Sequence, residues 1–122
     1  MDQRVQSVVA LMEKHLHRDL SLGVMAQFVN LSPSRFRHLF KAETGLSPAQ
    51  YLKSLRMRRA KELTETTFLR MKQIMNKIGV KDKRHFAQDF RKAYGLTPAQ
   101  NRARYLSVER LADRVKSVEN SK

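Results

Sequence analysis

Phe36 and Phe40, and fifty positions later Phe86 and Phe90, each stand four apart, a spacing that puts both rings of a pair on one face of a helix. The opposite faces carry hydrogen-bonding and cationic side chains. At about 100° per residue, Ser34, His38 and Lys41 point most directly away from the first pair, flanked by Arg35 and Arg37. Away from the second pair point Arg84, Gln88 and Arg91, flanked by Lys83 and His85. Arg can bridge O6 and N7 of guanine and Gln can pair with N6 and N7 of adenine, while Lys41 and Arg91, farther along, suit phosphate. The chemistry implied is recognition of a polyanion by hydrogen bonds and charge. A lone basic face is ordinarily just solvated, but two corresponding faces that agree argue for use.

The elements that must hold these faces also come twice. FRHLFKAETGLSPAQ at 36–50 corresponds to FAQDFRKAYGLTPAQ at 86–100. In each copy glycine stops the helix, at Gly45 and Gly95, and Ser47-Pro48-Ala49-Gln50 or Thr97-Pro98-Ala99-Gln100 starts another. The hydroxyl caps an orphan amide, proline at the first helical position has no amide to leave unpaired, and Gln closes a capping box. Val5, Val8, Val9, Met12 and Leu16 predict an amphipathic helix over 3–17, and Ser21 caps a short helix carrying Val24, Met25, Phe28 and Val29. Asn30 permits a left-handed turn, and Ser32-Pro33 launches a helix to about Glu43, with Phe36, Leu39 and Phe40 inward.

Helix, tight turn and helix make a helix-turn-helix, in which a small Ala26 lets the two axes approach. The helix from Pro48 to about Glu65, roughly 25 Å long, is a connector, with Tyr51, Leu52, Leu55 and Leu63 inward. Met71, Ile74, Met75 and Ile78, the Gly79-Val80 turn and an Asp82 cap then build the second unit. The expected fold is all-α, with seven helices in two homeodomain-like helix-turn-helix subdomains. Residues 1–46 form the first, 47–66 the connecting helix, 67–106 the second, and 107–122 a tail or short helix.

Charge follows the same division. Of 122 residues, 25 are Lys or Arg and 11 Asp or Glu, for a net charge of +14. Residues 1–30 balance Arg4, Lys14 and Arg18 against Asp2, Glu13 and Asp19, so the remaining 22 basic and 8 acidic side chains all lie in 31–122. Such an imbalance raises self-repulsion unless a polyanion is near, and solubility alone would need far less. The length and 41% hydrophobic content allow modest cores only. With no cysteine, disulfides, thiolate metal sites and thiol catalysis are excluded. Val8 to Met12 is too short and too flanked by charge for a signal peptide or a membrane span, so a cytoplasmic protein is expected.

From about Val5 to Arg104 the chain resembles the DNA-binding domain of the AraC (AraC/XylS) family of bacterial transcription regulators. The likeness is carried by LSPSRFRHLFKAETGLSPAQYLKSLRMRRAKEL at 31–63 and IMNKIGVKDKRHFAQDFRKAYGLTPAQ at 74–100. The resemblance implies recognition helices in successive major grooves of double-stranded DNA, with base contacts from Ser34, Arg35, Arg37 and His38, then Lys83, Arg84, His85 and Gln88. It implies a regulator that recruits or blocks transcription, activation being the family's commoner role, with RNA polymerase as a candidate protein partner. Members usually have Ile-Ala before the second turn and Gly-Phe in it, whereas this chain has Ile74-Met75 and Gly79-Val80. A bulky Met75 is expected to tilt or loosen the second unit, leaving the first to dominate specificity.

Two rival readings differ in class. A protein-interaction module would dock its basic face on an acidic partner of the transcription machinery and show no DNA site preference. A non-specific architectural binder would show salt dependence without preference. Enzymatic function has no support, because no Gly-rich phosphate loop or nucleophile motif occurs. No cofactor or metal is expected: His15 and His17 diverge on a helix, and His38 and His85 lie in different units. Val108, Leu111, Val115 and Val118 are spaced as a dimer seam, but two heptads are marginal alone, and against the seam stands a short helix that folds back on the domain or frays, so a monomer or weak dimer is expected. The chain has no room for a separate sensing domain, which makes it a free-standing regulator or a fragment.

Overall fold

The computed structural model of the chain describes residues 1–120, without the side chains of residues 110 and 117–120. Among the described residues the order is α1 (Gln3–Lys14), α2 (Leu22–Phe28), α3 (Pro33–Thr44), α4 (Pro48–Thr66), α5 (Met71–Ile78), α6 (Lys83–Tyr94) and α7 (Pro98–Asn120), with no strand. The caps read from sequence set the starts. The hydroxyls of Ser21, Ser32 and Ser47 accept the amides of Val24, Arg35 and Gln50, each at 3.2 Å, and the Asp82 carboxylate accepts that of His85 at 2.9 Å. Both capping boxes close, since Gln50 Oε1 accepts the Ser47 amide at 3.1 Å and Gln100 Oε1 the Thr97 amide at 2.9 Å.

Two apolar clusters fill the interior. The first joins Val5, Val8, Met12, Met25, Phe36 and Phe40 to Leu52 and Leu55 of α4. The second joins Met57, Ala60 and Leu63 of the same helix to Ile74, Met75, Ile78, Phe86 and Phe90. The connector therefore passes from one core to the other between Leu55 and Met57. A buried polar pair closes the second half, where Asn101 Nδ2 donates to Thr64 Oγ1 at 3.1 Å.

Several expectations need correction. Helix α1 ends at Lys14, short of residue 17, because the His15 amide closes on Leu11 O and the Arg18 amide on His15 O, both at 3.0 Å. His15 and His17 thus lie in a turn rather than on a helix, with ring centroids 6.4 Å apart. In α2, Met25 is buried but Val24 and Phe28 face solvent. Met75, whose bulk was expected to tilt or loosen the second unit, is 7% exposed within the second core. Its carbonyl accepts the Val80 amide at 3.0 Å, as Ala26 O accepts that of Leu31 at 3.0 Å. Past the repeat, α7 continues unbroken, and Val108, Leu111 and Val115 are 57–60% exposed, so this stretch does not fold back. The fourth residue of that spacing, Val118, has its side chain outside the described residues.

Candidate nucleic-acid interface

Helix α3 is pinned by its rings. Phe36 and Phe40 are fully buried, their centroids 5.7 Å apart, and Tyr51 of α4 meets Phe40 edge-on at 5.3 Å. Rotation of the helix about its axis would tear this cluster open, which fixes the opposite face outward. Ser34, Arg35, Arg37, His38 and Lys41 are all exposed on that face. Among the described residues none of Arg35, Arg37, His38 and Lys41 lies within ion-pair distance of a carboxylate. Ser34, Arg37, His38 and Lys41 border an open hollow of about 520 Å³ that reaches Ser47 at the start of α4.

Helix α6 repeats the plan. Phe86 and Phe90 are buried with centroids 6.2 Å apart, and the tilted ring of Tyr94 lies 5.0 Å from Phe90. Lys83, Arg84, His85, Gln88 and Arg91 are exposed. The electrostatics differ from α3, because two carboxylates border this face. His85 Nδ1 lies 3.7 Å from Asp82 Oδ2, and Asp89 pairs with Lys53 of α4 at 3.6 Å. The Asp82 carboxyl is held below its usual range, first by the His85 amide it accepts and then by the positive charges of His85 and Arg84.

All ten side chains singled out from the sequence are thus solvent-facing, five on each of two corresponding helices. The arrangement offers many donors and cationic heads and no assembled nucleophile, base or metal cage. Among the described residues no three His, Asp or Glu side chains gather to hold a metal ion. His15 titrates below its ordinary value because burial disfavours the charged ring, with Arg18, Lys14 and His17 adding repulsion. No helix among the described residues is long and apolar enough to cross a membrane.

Sequence reasoning missed the residues that hold the faces in place. Arg56 Nε donates to Leu16 O at 3.1 Å and its Nη2 to Arg18 O at 2.9 Å, across some forty positions of chain. Arg102 clasps the end of α4, donating to Thr64 O, Leu69 O and Thr67 O at 3.1, 2.6 and 3.2 Å. Both look like ordinary surface arginines in the sequence, and no local pattern marks their partners.

A helix-turn-helix domain family matches residues 25–104. The arabinose operon regulatory protein of Escherichia coli K12 is 33% identical over 104 residues, covering 84% of this chain and 36% of that protein. The C-terminal domain of AraT, a response regulator from Geobacillus stearothermophilus, superposes with a TM-score of 0.79 at 32% identity, over 84% of this chain and 85% of that one. The chain belongs to the AraC family of transcription regulators. Its seven helices have the fold of AraC-type DNA-binding domains. The DNA-binding domain of AdpA, solved in complex with a target DNA, reaches a TM-score of 0.83 at 27% identity, covering 87% of this chain and 96% of that one. The chain spans 27–37% of the length of the curated relatives it matches.

Proposed function

We propose that the chain binds double-stranded DNA with sequence preference and regulates transcription, laying α3 and α6 into successive major grooves on one face of the duplex. In this reading Ser34, Arg35, Arg37 and His38 meet base edges in one groove, and Lys83, Arg84, His85 and Gln88 in the next. Lys41 and Arg91 grip phosphate. The supporting observation is the matched pair of exposed cationic faces, each fixed by a buried phenylalanine pair and joined by a single 19-residue helix. At 1.5 Å per residue that helix measures about 28 Å, comparable to the 34 Å that separates successive turns of one groove. Activation through contact with RNA polymerase, a cytoplasmic location and action as a monomer or weak dimer complete the proposal.

Binding to a duplex library with random sequence, measured across salt, tests it. If about 6 to 10 phosphates are engaged, affinity for the selected site falls about a thousandfold or more between 50 and 200 mM salt. It should still exceed affinity for random duplex at every salt concentration. Salt dependence with no preferred sequence would instead establish an architectural binder, and neither effect would leave a protein-docking module.

A further inference from the structure

One contact joins the two helix-turn-helix units through backbone alone. Gly79, in the turn of the second unit, has φ +77°, and a Cβ built there would lie 2.7 Å from Leu16 O and 2.9 Å from His17 Cα of the first unit. Left-handed geometry by itself does not demand this glycine. The same place in the first turn is held by Asn30 at φ 58°, a residue that tolerates the conformation. Gly45 and Gly95 are also left-handed, yet a Cβ at either meets nothing within 4 Å. Gly79 is set apart by the main chain of the other unit lying against it.

That stretch of main chain is itself held. Leu16 O and Arg18 O accept hydrogen bonds from Arg56, which stands on α4 between Leu55 of the first core and Met57 of the second. Burial lowers the Arg56 pKa and the Asp19 charge opposes this; arginine is too basic to lose its proton in a protein, so both carbonyls face a charged donor. On the same side of α4, Lys53 reaches Asp89 of α6, a solvent-screened pair worth little alone.

We infer that Gly79, Arg56 and the Leu16–Arg18 main chain form a mechanical stop that fixes α6 relative to α3, making the spacing between two DNA half-sites a property the protein recognises. The inference rests on the groove-reading role proposed above. Adding one base pair between half-sites turns one against the other by about 35° and shifts it by about 3.4 Å. A loose hinge could follow that change. Two main-chain segments in van der Waals contact cannot do so without separating. Gly79 and Arg56 are therefore positioning residues, which discriminate between sites without touching a base.

The chain has no cysteine, so Glu43→Cys on α3 and Lys92→Cys on α6, both exposed, accept spin labels without background. The distance between the labels is measured in the free full chain, alone and with Gly79→Ala, Arg56→Gln or Gly95→Ala. The last variant carries the same left-handed penalty into open space. In parallel, unlabelled proteins select from duplexes whose random half-sites are separated by variable spacers. Expected are one narrow distance and one dominant spacer for the parent and for Gly95→Ala. Gly79→Ala and Arg56→Gln should broaden the distance and cut discrimination against a spacer one base pair too long or short from about tenfold to about threefold or less. Base preference within each half-site should persist. If Gly79→Ala fails to fold, judged by its helical signal, Arg56→Gln carries the test. Unchanged distances, or an unchanged spacer preference, would overturn the inference. A parent chain that selects no duplex at all would refute the groove-reading role and the spacing function with it, while the distances would still report whether the stop exists.

Discussion

Replacing Arg102 with methionine keeps most of the side chain's bulk and removes its donors. Four carbonyls lose a partner. Leu63 O, reached only at 3.4 Å, also accepts the amide and hydroxyl of Thr67 at 3.2 and 2.6 Å, so it is not orphaned. Thr64 O, Thr67 O and Leu69 O receive no backbone amide and lose their protein partner outright. Hydrogen bonds to a charged donor net about 1.5–3 kcal/mol, but these groups are only partly buried and water can replace some of the loss. At about 1 kcal/mol each, the three sum to roughly 3 kcal/mol of lost stability. For a domain of this size that lowers the melting temperature by about 10 °C. Thermal unfolding followed by circular dichroism measures it, with urea titration confirming an unchanged slope. Lysine at 102 keeps the charge without the planar fork and should recover less than half of the loss. A shift below about 3 °C for Arg102→Met would refute the reasoning, since the carbonyls would then be adequately served by solvent.

Other outcomes follow from the same geometry. Alanine at Arg35 and His38 should relax sequence preference in site selection more than alanine at Arg84 and Gln88, because Asp82 and Asp89 border the α6 face while among the described residues no carboxylate pairs with the α3 cations. Lys41→Gln should weaken binding about equally across sequences and reduce the slope of log affinity against log salt by about 1, as a phosphate contact does. The Asp82 carboxyl titrates below its ordinary value of 3.8 in the folded chain, so its charge stabilises the fold above that pH, and the contribution is lost as pH falls through the folded pKa. Asparagine at 82 retains the cap without the charge, so it should melt below the parent at pH 7 and match it in strong acid. Truncation after Leu106 removes the exposed Val108, Leu111 and Val115, and sedimentation should show a parent that dimerises weakly becoming strictly monomeric. An unchanged oligomeric state would remove the seam.

The count of seven helices was legible in the sequence, because the signals that start and stop them are local. Ser32-Pro33, Ser47-Pro48 and Thr97-Pro98 each combine a capping oxygen with a proline, and Gly45 and Gly95 supply the left-handed stops. The outward faces were legible for the same reason, since two buried rings four apart fix helical phase. What failed was everything set by distant parts of the chain. Helix α1 runs out at Lys14 in a loop whose Leu16 and Arg18 carbonyls are held by Arg56, forty positions away. Asn101 donates to the buried Thr64 hydroxyl, which itself donates to Lys61 O, and the link from Asn101 is one that neither residue's neighbours announce. Val24 and Phe28 follow helical spacing yet remain exposed, because α2 buries only a narrow edge around Met25 and Ala26. Met75 is taken into the second core, where an unbranched thioether suits irregular space.

Helix α4 gives Leu52 and Leu55 to one interior and Ala60 and Leu63 to the other, so neither repeat owns a complete set of walls. A fragment holding only one repeat would have to carry the whole rod and leave half of its apolar surface wet. Calorimetry should accordingly register a single transition instead of two. The doubling visible in the sequence has thus produced two corresponding cationic helices whose buried sides lean on one shared rod.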